Sequence, residues 1–412
     1  MAIKALRGMK DLLPPQSKKY IKFIQTASKI AQHFGFDYIE TPLLEETALF
    51  KRSVGESSDI VGKEMYQFID KGGNDVCLRP EGTAGIVRSF IEHKLDRQGG
   101  VHRFFYYGPM FRYERPQKGR LREFHQFGIE SFGEASVYED ATIILLAKEI
   151  LDHFNIPYKL KINSLGCPAC LPSYRENLVS FLQNHDDICD DCKRRRKLNP
   201  IRVLDCKNEK CQEIYNDAPK LLLNLCDNCQ QDFATLQEIL MRENVEFEID
   251  SNLVRGLDYY TKTAFEFVSD ALGAQNAVAG GGRYDNLVEF LGGKPTPAVG
   301  FAIGIERILD LIEYDEDQRD GYYVGVMVED ALPQAFDATM QFRKRCKALL
   351  EYKPKSLKAH LKAADKMKAR YAAIIGEDEL SQNAIWVKDL ENRAEQIIPL
   401  AKIVESPCKI ME

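Results

Sequence analysis

The chain has 412 residues, 44% of them hydrophobic and 29% charged, with a net charge of -6. That is enough for two or three domains with buried cores, and the balance is ordinary for a globular protein. No apolar run is long enough for a membrane helix, the start "MAIKALRGMKDLLPP" lacks a secretory apolar core, and net acidity leaves nucleic acid to be met by local basic patches, so a cytoplasmic protein is expected.

Residues 18–34 place apolar groups at helical spacing, and "DYIETPLL" is expected as a strand stopped near Pro42. "VCLRPEGTAGIVRSF" predicts strand, turn and a helix from about Thr83. Two strands are expected around a charged loop at 115–120, then a helix at 137–154. The cysteine-rich stretch from 165 to about 245 interrupts this pattern and is expected as an inserted domain. "AVAGGGRYDNLVEFLGG" and "AVGFAIGIERILDLI" each predict strand, glycine turn and helix. Beyond Gly321 strands and helices alternate, with helices expected at 333–350 and around 394, which makes an α/β domain.

In "FRYERPQKGRLREF", Arg112 and Glu114 occupy alternate positions and leave one face of a strand. The loop adds Arg115, Gln117, Lys118 and Arg120, Phe124 lies on the returning strand, and Arg307 opens a later helix. Guanidinium groups grip phosphate oxygens bidentately and a ring can stack on a base, so together they point to a triphosphate site. A plain surface hairpin is the competing reading. Glu81, Gln126 and Glu130 sit among apolar residues, and Tyr259 and Tyr260 follow Arg255 in "VRGLDYYTKTAFEF". Buried acids need partners, either a cationic, hydrogen-bonding ligand or neighbouring arginines.

Eight of the eleven cysteines lie between Cys167 and Cys229 as four pairs. Clustered pairs in an intracellular chain point to metal or reactive thiols rather than disulfides. By spacing, Cys167 and Cys170 would join Cys189 and Cys192 as one zinc set, and Cys206 and Cys211 would join Cys226 and Cys229 as a second. Reduced thiols held by packing are the alternative. Two basic runs also stand out, Lys193 to Lys197 and Arg343 to Arg370, the second with eleven Lys/Arg against two acids. Each is either a nucleic-acid contact or a solvated face.

Four segments in order resemble the bacterial histidyl-tRNA synthetases, class II aminoacyl-tRNA synthetases, over nearly the whole chain. "GPMFRYERPQKGRLREFHQFGIE" resembles class II motif 2 and "AVGFAIGIERIL" motif 3, while "LVRGLDYYTKTAFEF" and "GGGRYDNL" resemble the two histidyl-specific segments. The resemblance implies an α+β class II core, an antiparallel sheet flanked by helices, divided into 1–164 and 248–320 by a small insertion at 165–247. It also implies a C-terminal α/β anticodon-binding domain at 321–412. It implies ATP, Mg²⁺, L-histidine and tRNA-His as ligands and a homodimer through the motif 1 side.

By the same resemblance, Arg112 holds the α-phosphate, Glu114 and Phe124 meet adenine, and Arg120 and Arg307 bind the phosphates. Glu81, Thr83 and Gln126 receive the α-ammonium, and Glu130 and Tyr260 grip the imidazole, with Tyr259 and Tyr284 as pocket wall. Arg255 stabilises charge on the α-phosphate, oriented by Asp258, and Arg115, Gln117 and Lys118 approach the tRNA acceptor end. A carboxylate and a phenol facing the two imidazole nitrogens would reject analogues by about 10⁴ or more. The rival is a non-catalytic relative, the regulatory subunit of ATP phosphoribosyltransferase, which lacks the C-terminal domain and the catalytic residues.

Overall fold

The strand-forming segments carry two unlike sets of side chains, and the fold follows from where each set goes. A computed structural model of the protein describes residues 3–55, 58, 60–117, 119–206, 208–254, 257, 259–273, 276–313 and 319–405. It divides into two units, Met1–Glu313 and Tyr314–Glu412. In the first, β1 (Asp37–Tyr38), β2 (His102–Phe111), β3 (Glu123–Phe132), β4 (Lys159–Ser164), β5 (Glu248–Ile249), β6 (Thr261–Val268), β7 (Ala277–Arg283) and β8 (Ala298–Gly304) form one sheet. Its order is β1-β2-β3-β8-β7-β6-β4-β5. Pairing is antiparallel except at the edges, where β1 joins β2 and β5 joins β4 in parallel.

The principal helices are α1 (Gln16–His33), α2 (Thr83–Glu92), α3 (Val137–His153), α4 (Leu171–Gln183), α5 (Asp190–Leu198), α6 (Glu209–Asn216) and α7 (Asp227–Arg242). Successive strand residues point to opposite faces. Phe105, Phe127, Ile129, Phe265, Phe301 and Ile303 therefore share one buried face, covered by Phe23 of α1, Ile143 and Ile150 of α3, and Leu236 and Ile239 of α7. Burying each such side chain contributes about 1.5–3 kcal/mol. The Ser136 hydroxyl accepts the Tyr138 N–H at the start of α3, and Glu139 and Asp140 sit in its first turn, where acids favour the helix dipole.

"DYIETPLL" is not one strand. It divides between β1 and Leu44–Glu46, which belongs to a separate three-stranded sheet with Asp75–Leu78 and Tyr66–Ile69. Pro42 has no amide proton to continue a ladder, and the Thr41 carbonyl accepts from Arg79 Nη1 at 2.9 Å instead.

The cysteine pairs do not meet in sequence order, which corrects the partition expected from spacing. Cys167 and Cys170 meet Cys226 and Cys229, while Cys189 and Cys192 meet Cys206 and Cys211. The reason is tertiary. The chain leaves the sheet after β4 and returns along α7, which packs on that same sheet, so the two ends of the insertion close on each other.

In the second unit, Ala348–Leu350, Tyr322–Val326, Tyr371–Ile375, Ala384–Asp389 and Glu395–Pro399 form a sheet in that order. The first three run parallel and the last two antiparallel. Two expected helices are corrected. The helix that starts at Leu332 ends at Arg343, because Ala348–Leu350 pairs with Tyr322–Val326. The segment near 394 is the strand Glu395–Pro399, with Ile398 buried, before a helix at Leu400–Glu405. Ladder pairing outweighs local helical spacing in both.

One buried ion pair locks the sheet to α3. Arg283 Nε donates to Asp140 Oδ1 and Oδ2 at 3.1 and 3.0 Å, and Nη1 donates to the Glu134 carbonyl at 2.9 Å and to Asp285 Oδ1 at 3.1 Å. Both Arg283 and Asp140 are 1% exposed. Asp140→Ala should cost about 3–5 kcal/mol in denaturant unfolding, and Arg283→Met with Asp140→Leu should recover much of it. Equal losses in the single and double variants would sink this account.

Candidate active site

The second face of the sheet is built to leave room. Tyr106 pairs across to Gly128, Gly128 to Ala302, Ala302 to Gly280 and Gly280 to Glu266; Glu130 pairs to Gly300. A Cβ on Gly128 would lie 2.1 Å from the Tyr106 ring, and one on Gly300 would lie 2.0 Å from Glu130 Oε2. The missing side chains admit the Tyr106 ring and the Glu130 carboxylate, and Gly280 and Gly300 line a cleft of about 1000 Å³.

One end of the cleft is cationic. Arg112, Arg120 and Arg307 line it together with Glu114 and Phe124. Arg112 Nε donates to the Pro80 carbonyl at 2.9 Å, and its Cζ lies 5.1 Å from the centre of the Phe124 ring. Arg120 meets Glu114 at 3.1 Å, and Arg307 Nη1 donates to the Ala277 carbonyl at 2.6 Å. Burial, then the like charges of Arg120 and Arg112, lower the pKa of Arg307. Converging cations at a burial cost are what an anionic ligand relieves. Arg115 and Gln117 are exposed on the loop between β2 and β3, where Gln117 and Arg120 exchange backbone hydrogen bonds at 3.1 and 3.0 Å.

The other end is carboxylic and phenolic. Glu81, Thr83, Tyr106, Gln126, Tyr259 and Tyr260 line it. Glu81 precedes α2, and its carboxylate accepts the Thr83 and Ala84 amides at 2.7 and 2.9 Å, at the positive end of the helix dipole. Burial nonetheless raises its pKa, opposed by those amides and by Arg112. Gln126 Oε1 is buried with no hydrogen-bond partner among the described residues.

Glu130 and Tyr284 lie behind this lining rather than in it, each 1% exposed. Glu130 Oε1 accepts from Thr83 Oγ1 at 2.7 Å and from the Tyr106 hydroxyl at 3.4 Å, and Oε2 accepts from the Tyr284 hydroxyl. Tyr259 and Tyr260 rings sit 4.7 Å apart and both pack on Tyr284. The expected site residues Arg112, Glu114, Arg120, Phe124, Arg307, Glu81, Thr83, Gln126, Tyr259 and Tyr260 thus share one cleft. Arg255, Asp258 and Lys118 lie outside the described residues.

Sequence reasoning missed Tyr106, Glu266 and Glu306. Tyr106 and Glu266 alternate in step with Gly128 and Gly280, which is the signal that could have found them. Glu306 accepts the His125 amide at 2.9 Å and meets its Nδ1 at 2.8 Å, a pairing over 181 residues with no local signature.

A cleft with guanidinium groups at one end and carboxyls and phenols at the other, on an antiparallel sheet flanked by helices, is the site of a class II aminoacyl-tRNA synthetase. Residues 8–308 match the histidyl-tRNA synthetase family, and residues 322–406 match the anticodon binding domain family. This chain belongs to the histidyl-tRNA synthetase family. It is 72% identical to a histidine–tRNA ligase of a Nitratiruptor species, covering 98% of this chain and all of the relative. It is 64% identical to one from Sulfurimonas denitrificans, over 96% of this chain and 98% of the relative. Among solved structures, the apo histidyl-tRNA synthetase of S. aureus superposes with a TM-score of 0.81 at 34% identity, covering 98% and 99% of the two chains.

The Glu130 network makes a testable pH signature. Burial raises the Glu130 pKa from 4.5 to about 8, against the hydrogen bonds from Tyr284 and Thr83. The folded state then holds a proton that the unfolded state has lost, so this stabilisation is complete below about pH 4.5 and lost as pH rises through about 8. The melting temperature of the ligand-free protein should fall from pH 5 to pH 9, and Glu130→Gln should fall less steeply. Parallel curves for the two proteins would refute the assignment.

Proposed function

We infer that this protein is a histidine–tRNA ligase, which joins L-histidine to AMP at the expense of ATP and then to tRNA-His. In the first step a histidine carboxylate oxygen attacks the α-phosphorus while its bond to the bridging oxygen of pyrophosphate breaks. In the second, a terminal hydroxyl of the tRNA attacks the carbonyl carbon and AMP leaves. The single observation that carries the reading is the one cleft that joins Arg112, Arg120 and Arg307 to Glu81, Thr83 and Tyr260.

We propose that Arg112 holds the α-phosphate and carboxylate, Arg120 and Arg307 the outer phosphates, and Phe124 the adenine ring, with Glu114 beside it. Glu81, Thr83 and Gln126 receive the α-ammonium, and the unpartnered Gln126 oxygen fits such a donor. Tyr259 and Tyr260 face the imidazole, and Glu130 with Tyr284 sets the polarity of that wall through Thr83 and Tyr106. Arg255, assigned on the motif alone, stabilises developing phosphoryl charge, a type of contribution that removal of one donor shows to be worth about 10²–10³ in rate. Magnesium would neutralise phosphate charge when bound, and Glu114 and Glu266, which line the same cleft, would be the residues to hold it through hard oxygen donors.

Arg115, Gln117 and Lys118 reach the tRNA acceptor end, and the C-terminal unit meets the anticodon region. Lys358, Lys362 and Lys366 lie one helical turn apart and exposed on the helix Leu357–Lys366, a row suited to phosphate contact. We propose a cytoplasmic homodimer, with exposed Tyr38, Leu43, Leu44, Phe68 and Ile69 around the motif 1 side as its apolar surface. Identity to histidine–tRNA ligases over nearly the whole chain weighs against the regulatory paralogue.

Histidine, alone among the amino acids, should stimulate exchange of pyrophosphate into ATP. Arg307→Ala should lower kcat/KM for ATP in that assay by about 10²-fold or more. Deleting residues 321–412 should leave exchange largely intact while tRNA charging collapses. Equal stimulation by all amino acids, or full charging by the truncated chain, would overturn the respective parts.

A further inference from the structure

Eight cysteines take no part in the cleft, yet among the described residues they form the two clusters of side chains able to hold a metal ion. The sulfurs of Cys167, Cys170, Cys226 and Cys229 all lie within 4.8 Å of one another, and so do those of Cys189, Cys192, Cys206 and Cys211. Cys167 Sγ is 3.7 Å from Cys170 Sγ and 3.8 Å from Cys226 Sγ, and Cys189 Sγ is 3.7 Å from Cys206 Sγ. A disulfide would bring sulfurs to about 2.05 Å. A zinc ion at about 2.3 Å from four sulfurs spreads them on a regular tetrahedron with edges of about 3.8 Å. The three edges of 3.7–3.8 Å are those of the second case.

We propose that these cysteines form two tetrathiolate zinc sites, nested one inside the other along the chain. Two further observations are independent of the spacing. Backbone amides point at the sulfurs: Cys226 N donates to Cys170 Sγ at 3.2 Å, Cys189 N to Cys211 Sγ at 3.2 Å, and Asn208 N to Cys206 Sγ at 3.4 Å. Such bonds offset thiolate charge around a metal. Helix starts point at them too. Cys170 and Cys226 stand at the N-terminal ends of α4 and α7, Cys189 stands at that of α5, and Cys211 lies in the first turn of α6. Helix N-termini favour thiolate over thiol.

The two sites differ in what they hold. The outer one fastens the end of β4 to the start of α7. Beside it, the Leu165 amide donates to the Lys262 carbonyl at 2.6 Å and the Lys262 amide to the Gly166 carbonyl at 2.7 Å, two residues from Tyr260. The outer site thus roots the insertion against β6, directly after the tyrosines. The inner one closes the tip of a unit whose own apolar core holds ten buried residues besides cysteines, among them Tyr174, Leu178, Leu182, Ile188, Val203 and Tyr215. A metal supplies the stability that so small a core lacks.

The full-length chain, purified without chelator or added metal, should contain about two zinc ions by elemental mass spectrometry. Replacing Cys167, Cys170, Cys226 and Cys229 together by Ser should leave about one zinc, because the inner site stays whole. Replacing Cys167, Cys170, Cys189 and Cys192 together should leave close to none, because each site loses half its ligands. The reverse pattern would restore the sequential partition and overturn the nesting. Because these variants can lose the insertion fold, cobalt exchange into the unaltered chain gives a second readout. Two cobalt ions with the visible absorption of tetrahedral, sulfur-only coordination support the proposal. Metal-free protein with eight freely titrating thiols, or iron in place of zinc, overturns it.

Discussion

The partition of side chains between the two faces of the eight-stranded sheet is the constraint behind both the core and the cleft. A strand has a period of two, so Phe127 and Ile129 must go one way if Gln126, Gly128 and Glu130 go the other. Burying the aromatic face against α1, α3 and α7 fixes the register of the strands. It thereby places the strand residues Tyr106, Gln126 and Glu266 on the opposite face, toward the cleft. The glycines on that face are the complement of the aromatics. Their missing side chains make room for functional groups, as the 2.1 Å approach a Cβ at Gly128 would make to the Tyr106 ring demonstrates.

On that floor the charges are segregated. Arg112, Arg120 and Arg307 gather where backbone carbonyls and Glu114 only partly offset them. Glu81 and Glu130 are buried at the other end, where amides and hydroxyls meet their oxygens but burial still raises both pKa values. Each end is costly in the free protein, and the two proposed substrates, a triphosphate and a histidine, would relieve opposite ends. Unfavourable electrostatics at a functional site are the expected trade, and the paired Arg283–Asp140 nearby shows how the same groups behave when they serve the fold instead.

The insertion follows a different logic. None of its described residues lines the cleft, and its small core is supplemented by cysteines whose sulfurs, amides and helix starts converge. The C-terminal unit is again separate, a mixed sheet with a basic helix row, whose own core is complete without the catalytic sheet.

Much of this was legible in the residues themselves. A charged loop between apolar runs identified β2 and β3, glycine turns marked β7 and β8, and the resemblance of the motifs named ten of the cleft residues, because these depend on local geometry or on recognisable runs. Which distant pieces meet was not legible. Nothing near Glu130 says that Thr83, Tyr106 and Tyr284 will surround its carboxyl, nor does anything near His125 point to Glu306. Spacing alone joined Cys170 to Cys189, whereas the return of α7 to the sheet joins it to Cys226. Likewise Ala348–Leu350 and Glu395–Pro399 read as helix until a neighbouring strand offers them a ladder. The face each side chain takes and the chemistry the chain carries follow from period and residue type, so both can be read residue by residue. The long-range pairings follow instead from burial of a shared aromatic face, and no local preference encodes which segments that burial brings together.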